Sequence, residues 1–153
     1  MTALLSHQTP ISKDQAPWQI ATTRKQKVLF IIPPSEFLLD DRVFPSLGVL
    51  KVAAALEAAG HVVDVLDLSG VGNYIEVIED AVSLTSYNAV GITVTTPQLP
   101  AVFKIRNSLR SLQPDLRLIL GGAHVALSYA GRKQEQKTGQ IGGRADLAVK
   151  MLE

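Results

Sequence analysis

Lys27-Val28-Leu29-Phe30-Ile31-Ile32 runs straight into Pro33-Pro34. After Lys27 this run is apolar on both faces of its pleat, as in a strand covered on both sides. Two successive prolines can donate nothing to a ladder, so the strand must stop there. The pattern recurs twice: Ala89-Val90-Gly91-Ile92-Thr93-Val94 gives way to Thr95-Thr96-Pro97, and Leu116-Arg117-Leu118-Ile119-Leu120 runs into Gly121-Gly122-Ala123-His124. Helix-like segments separate these runs, which therefore read as buried strands of a parallel sheet. The residues that follow them gather at one edge, where open α/β sheets bind their ligands.

Working outward, Ser46 is placed to cap a helix whose apolar face includes Leu47, Leu50, Val52, Ala54 and Leu56, and Gly60 ends it. Val62 to Leu68 reads as a strand interrupted by Asp64 and Asp67, and Ser69 to Asn73 as a turn. Tyr74 to Ser86 reads as an amphipathic helix with Ile75, Ile78, Val82 and Leu84 inward, followed by a strand over Asn88 to Val94. Thr96 reads as the cap of the next helix, with Pro97 at its first position; the helix runs to about Leu112, and Gln113-Pro114-Asp115 breaks it. The last strand covers Leu116 to Leu120. The polar, Gly-containing stretch Gly131 to Arg144 reads as a flexible loop, and Ala145 to Leu152 as a short final helix. The expected fold is a flavodoxin-like (Rossmann-like) doubly wound α/β sheet of about four parallel strands in the order 2-1-3-4. A fifth strand is expected to lie on missing sequence beyond the last helix. The expected division is an arm over 1–26, an α/β domain over 27–130, and a linker with a short helix over 131–153.

At 153 residues the chain suits one domain, and 46% hydrophobic against 19% charged residues argues against global disorder. A net charge of +1, with no basic stripe, gives no electrostatic reason to expect nucleic acid or an anionic membrane as partner. The chain has no Cys, which removes disulfides, thiolate metal sites, iron–sulfur ligation and thiol nucleophiles together, and is compatible with a cytoplasmic location. The arm has no secretory pattern, and no apolar run has the length of a membrane span. Trp18 stands out in the arm as a residue that would pin it to the body or to a partner.

The candidate site residues lie in the segments after the strands. The loop Pro33 to Pro45, with Glu36, Asp40, Asp41 and Arg42, is long for a strand-to-helix connection; it reads as a solvated acidic loop or as one that touches ligand. It holds no G-x-G-x-x-G, which disfavours a conventional dinucleotide site. Asp67 reads as a strand terminator or as an acceptor for a ribose. Thr93, Thr95 and Thr96 read as strand and cap residues, or as hydroxyls meeting a polar ligand beside free helix-end N–H groups. Gly121-Gly122 reads as a plain turn or as a place of close approach for a flat ligand. His124 has no second ligand at metal spacing, His61 reads as a surface turn residue, and His7 lies in the arm. No catalytic constellation and no metal set is found.

Val28 to Pro34, Phe44-Pro45-Ser46-Leu47-Gly48-Val49-Leu50, Ala53 to Leu56, Gly60-His61, Val63 to Asp67, Gly91 to Thr95 and Gly121-Gly122-Ala123-His124 together resemble, in order and spacing, the amino-terminal cobalamin-binding domain of cobalamin-dependent radical S-adenosylmethionine enzymes. The resemblance covers roughly 27–127. It implies a corrin held over the carboxyl ends of the strands, with contacts from Pro34, Ser35, Pro45, Leu47, Asp67, Thr95, Thr96, Gly121, Gly122, Ala123 and His124. The Asp-x-His-x-x-Gly motif of the best-known cobalamin domains is absent: the first loop has Asp40 and Asp41 but no His, so a lower cobalt ligand from a protein His is not expected. The family's Cys-x-x-x-Cys-x-x-Cys cluster motif cannot exist here. The iron–sulfur cluster, S-adenosylmethionine and the radical methyltransferase chemistry are thus expected only in a carboxyl-terminal domain beyond Glu153, with this chain binding cobalamin but not turning over. The alternatives are a flavodoxin-like module for a nucleotide or flavin, a non-catalytic interaction domain, or a scaffold that has lost its ligand.

Overall fold

A computed structural model describes residues 24–35, 46–140 and 142–152. The arm residues 1–23, with His7 and Trp18, and the loop residues 36–45, with Pro45 and the four charged side chains, lie outside the described residues.

Four strands, β1 (Lys27–Ile32), β2 (Val62–Asp67), β3 (Ala89–Thr93) and β4 (Arg117–Gly121), form one parallel sheet in the order β2-β1-β3-β4. This is the expected order. It puts the switch point between β1 and β3: the chain leaving β1 crosses toward β2, and the chain leaving β3 crosses toward β4. The connecting helices are α1 (Leu47–Ala58), α2 (Tyr74–Leu84), α3 (Leu99–Leu112), α4 (Ala123–Lys137) and α5 (Arg144–Leu152). Among the described residues no helix is long and apolar enough to cross a membrane.

Alternation along the strands gives the sheet two different faces. Leu29, Ile31, Val90 and Ile92 point to one face and join Ile78, Val82, Val102, Ile105 and Leu109 of α2 and α3 in a fully buried core. The other face carries Phe30, Gly91 and Ile119, which the register sets side by side across β1, β3 and β4. Among the described residues α1 lies over this second face, and it buries a narrow stripe, Val49 and Ala53. The expected α1 face is therefore corrected: Leu47, Leu50, Val52 and Ala54 are exposed, because among the described residues α1 packs on β1 and β2 and no second helix packs closely beside it. Gly60, at φ 89°, ends the helix as expected.

Other boundaries shift for local reasons. α2 stops at Leu84, which is exposed rather than inward, because Thr85 takes an extended conformation. Thr95, not Thr96, caps the next helical segment, a 3₁₀ turn over Thr96–Gln98 that leads into α3. The largest difference is at 131–137, which belongs to α4 and is not a loop. Its charges are spent on α5. The Glu135 carboxylate accepts the N–H groups of Ala145 and Asp146 at 2.9 Å, capping α5, and Arg132 Nε lies 3.1 Å from Asp146 Oδ1. Gly131 lets the two helices close, since a Cβ there would stand 2.8 Å from that of Ala145.

A hydrogen bond from Lys150, helped by the charges of Lys150 and Arg132, holds the Asp146 carboxyl below the ordinary carboxylate range. A lowered folded pKa contributes stability above the ordinary value of about 3.9, and the contribution is lost as pH falls through the folded pKa. Amide protection factors over 144–152 are therefore expected to fall on acidification below about pH 4. Asp146→Asn should show the looser junction already at neutral pH. Equal protection in the two proteins at pH 7 would contradict this.

Candidate functional site

Three turns meet at the carboxyl edge of the sheet. The first, Pro33-Pro34-Ser35, is buried as it leaves β1. The second is Thr95 to Gln98 after β3, and the third is Gly121 to His124 after β4. They are laced together. Val94 N–H donates to the Gly121 carbonyl at 2.7 Å, and His124 N–H donates to the Val94 carbonyl at 3.0 Å. Thr96 Oγ1 and His124 Nδ1 are 3.0 Å apart, and Gln98 Nε2 donates to the Pro33 carbonyl at 2.7 Å.

The two glycines of the third turn do different things. Gly122 sits at φ 99° and ψ −174°, a region open essentially to Gly alone. A Cβ there would stand 2.9 Å from Val94 N, Val94 O and Thr93 Oγ1. The β3–β4 crossing itself therefore requires Gly122. Gly121 is unstrained, and a Cβ on it would meet nothing within 4 Å. It faces open space.

That space is a groove on the half-covered face of the sheet. Its upper part, about 370 Å³, opens at the carboxyl edge between Gly48, Val49 and Val52 of α1 and Phe30, Gly91, Thr93, Ile119 and Gly121 of the sheet. Gly91 is the low point of the floor. Its missing side chain is replaced by the Phe30 ring, which lies where a Cβ would fall. A lower part, about 690 Å³, continues past Val28, Ala89 and Leu56 to a polar end at Arg24, His61 and Arg117. Both volumes fall in the range of about 300–1,000 Å³ usual for small-molecule clefts. A flat or extended apolar group fits between an apolar floor and a helix that presents Gly48 at its entrance.

The expected contact residues are placed as follows. Pro34 and Ser35 are buried at the edge, and Leu47, at the start of α1, is exposed. Thr95 and Thr96 are exposed, but their hydroxyls are engaged, Thr95 with Gln98 Oε1 at 2.9 Å and Thr96 with His124. Asp67 is exposed at the end of β2 and accepts the Ser69 N–H at 3.0 Å, so its carboxylate also holds a turn. Ala123 opens α4 beside the half-buried His124. Thr95, Thr96, Gly121, Gly122 and His124 are thus brought together, whereas Asp67 stands apart on the edge strand β2. His61 is less idle than its turn position suggests, because its Nδ1 accepts the Gln26 N–H at 3.2 Å. Sequence reading gave no role to Gln98, Phe30 or Ile119. Alternation from Gly121 would have assigned Ile119 to the groove face, but Gln98 has no signature beyond its place three residues after a cap. Among the described residues no three His, Asp or Glu side chains come together as a metal set.

Comparison with known proteins gives the same direction. The B12 binding domain family matches residues 41–149, the greater part of the chain. No curated protein matches. Two solved structures of TsrM, a radical S-adenosylmethionine methyltransferase from Kitasatospora setae, are similar in fold. The one with tryptophan substrate and a SAM analog bound has 22% identity and a TM-score of 0.57 over 68% of this chain and 20% of that one. The one with cobalamin and a [4Fe-4S] cluster bound has 20% identity and a TM-score of 0.58 over 76% of this chain and 21% of that one. The chain thus spans about a fifth of the length of those enzymes. With a four-stranded 2-1-3-4 sheet, a glycine-lined groove at its carboxyl edge and a family match across most of its length, the chain belongs to the B12 binding domain family.

Proposed function

We propose that the chain binds cobalamin by seating the corrin over the three laced turns and its nucleotide tail in the groove beneath, and that it presents the cofactor to a radical S-adenosylmethionine domain for methyl transfer. The observation that carries this reading is the groove itself. It opens at the carboxyl edge and runs down the half-covered face between α1 and the sheet. The flat aromatic base of a tail suits a groove with the sheet as one wall and α1 as the other. Gly121 and Gly48 leave room for it, while Phe30, Val49, Val52 and Ile119 supply apolar contact. The Pro34–Ser35, Thr95–Thr96 and Ala123–His124 segments lie at the same carboxyl edge of the sheet and are the proposed corrin contacts, with Leu47 at the start of α1.

When bound, cobalamin supplies a cobalt centre able to carry a methyl group. The chain's own residues bind and orient the cofactor and keep water from its tail. The partner domain is supported by the TsrM likeness, in which this fold accounts for only about a fifth of the chain.

Comparing cobalamin with cobinamide, which lacks the nucleotide tail, tests the groove. Removing an apolar group of that size from the groove should weaken binding by at least about 100-fold. Equal affinity for the two corrinoids would place the tail elsewhere. Tighter binding of flavin mononucleotide than of either would replace the cobalamin reading with a flavin one.

A further inference from the structure

Pro33 and Pro34 leave the chain emerging from β1 with no N–H for two residues, so the backbone of those two residues can be hydrogen-bonded only through their carbonyls. The Pro33 carbonyl is held by one side chain from across the switch point. Gln98, half-buried in the turn after β3, donates Nε2–H to it at 2.7 Å over a separation of 65 residues. The other end of the same amide is fixed as well: Gln98 Oε1 accepts the Thr95 N–H at 3.0 Å and the Thr95 hydroxyl at 2.9 Å. One planar group thus donates to the first turn and accepts from the second. Glu cannot donate at neutral pH, Asn is a methylene shorter, and Leu does neither.

We infer that Gln98 is a positioning residue for the cofactor, fixing the turn after β1 against the turn after β3 and so setting the mouth of the crevice that receives the corrinoid. This rests on the cobalamin reading above. It assigns Gln98 no contact with the cofactor; Gln98 acts through Pro33, Pro34 and Ser35.

The test uses the full chain with Gln98→Leu and Gln98→Glu, titrated with hydroxocobalamin by visible absorbance at about pH 7 and about pH 4. Loss of a hydrogen bond that fixes a binding loop should weaken affinity about tenfold in Gln98→Leu at both pH values. Gln98→Glu should be equally weak at pH 7 and recover toward wild type as the pH is lowered to about 4, just below the ordinary Glu pKa, because a protonated carboxyl regains a donor for Pro33 while still accepting from Thr95. A residue that merely adds stability would show no such recovery. Wild-type affinity in Gln98→Leu would overturn the inference, as would a Gln98→Glu affinity that does not respond to pH. Failure of the wild-type chain to bind would count against the cobalamin reading, and the clamp is then judged without ligand. The Leu68 amide, bonded at 3.0 Å to the Ile32 carbonyl beside Pro33, should exchange about tenfold faster in Gln98→Leu. Unchanged exchange would overturn the clamp.

Discussion

Gly122→Ala is expected to destabilise the ligand-free chain by about 2–4 kcal/mol and to lower its melting temperature by roughly 5–15 °C. Two costs combine. The backbone at φ 99° is strained for any residue with a side chain, and the new Cβ would stand 2.9 Å from the main chain of Val94. Neither neighbour can yield cheaply. Val94 N–H is committed to the Gly121 carbonyl at 2.7 Å, and the Val94 carbonyl to His124 N–H at 3.0 Å, so relief of the contact breaks the lacing that starts α4. Thermal unfolding followed by circular dichroism measures the loss. A melting temperature within about 2 °C of wild type, below the shift that 1 kcal/mol produces in a domain of this size, would mean that the turn does not need its glycine.

Gly121→Leu is expected to do the reverse, leaving the fold intact and removing binding. Gly121 has no positive φ and no atom within 4 Å of where its Cβ would lie, so the ligand-free melting temperature should stay near that of wild type. The new side chain would occupy the upper groove between Gly48, Val52 and Ile119, and cobalamin affinity should drop by at least about 100-fold. Calorimetric titration of the two proteins measures it. A Gly121→Leu protein that binds as wild type does would show that the upper groove is not where the cofactor goes. The two adjacent glycines thus separate the needs of the chain from those of the ligand, which a bulky substitution at Gly122 could not do.

The sheet was legible because its strands are short apolar runs closed by residues that cannot extend a ladder: Pro33-Pro34 after β1, Gly121-Gly122 after β4. Their alternation with helix-like segments left few topologies, and 2-1-3-4 is the one formed. What composition hid was tertiary. Residues 131–137 look like a linker because they are polar and begin with Gly, yet Arg, Lys, Gln and Glu are good helix formers. Their helix is fixed by partners on α5 that local reading does not supply, Asp146 for Arg132 and the first amides of α5 for Glu135. The inward face of α1 was misassigned for a related reason. An apolar helix was assumed to be covered on a broad face, whereas among the described residues α1 buries only Val49 and Ala53 and leaves Val52 and Leu56 to the groove.

The site was legible as a set of segments and not as a set of contacts. Thr95, Thr96 and His124 converge at the carboxyl edge, where the strand ends put them, but their polar atoms pair with Gln98 and with one another. The open surface offered to a ligand is instead apolar and glycine-lined, and it appears only once the register sets Phe30, Gly91 and Ile119 in a row.

The most direct measurement is a titration of the purified chain with hydroxocobalamin, followed by visible absorbance, with circular dichroism to show that the chain is folded. Saturable binding near one equivalent, lost in Gly121→Leu, is the predicted result. A folded chain that leaves the corrinoid spectrum unchanged would contradict it.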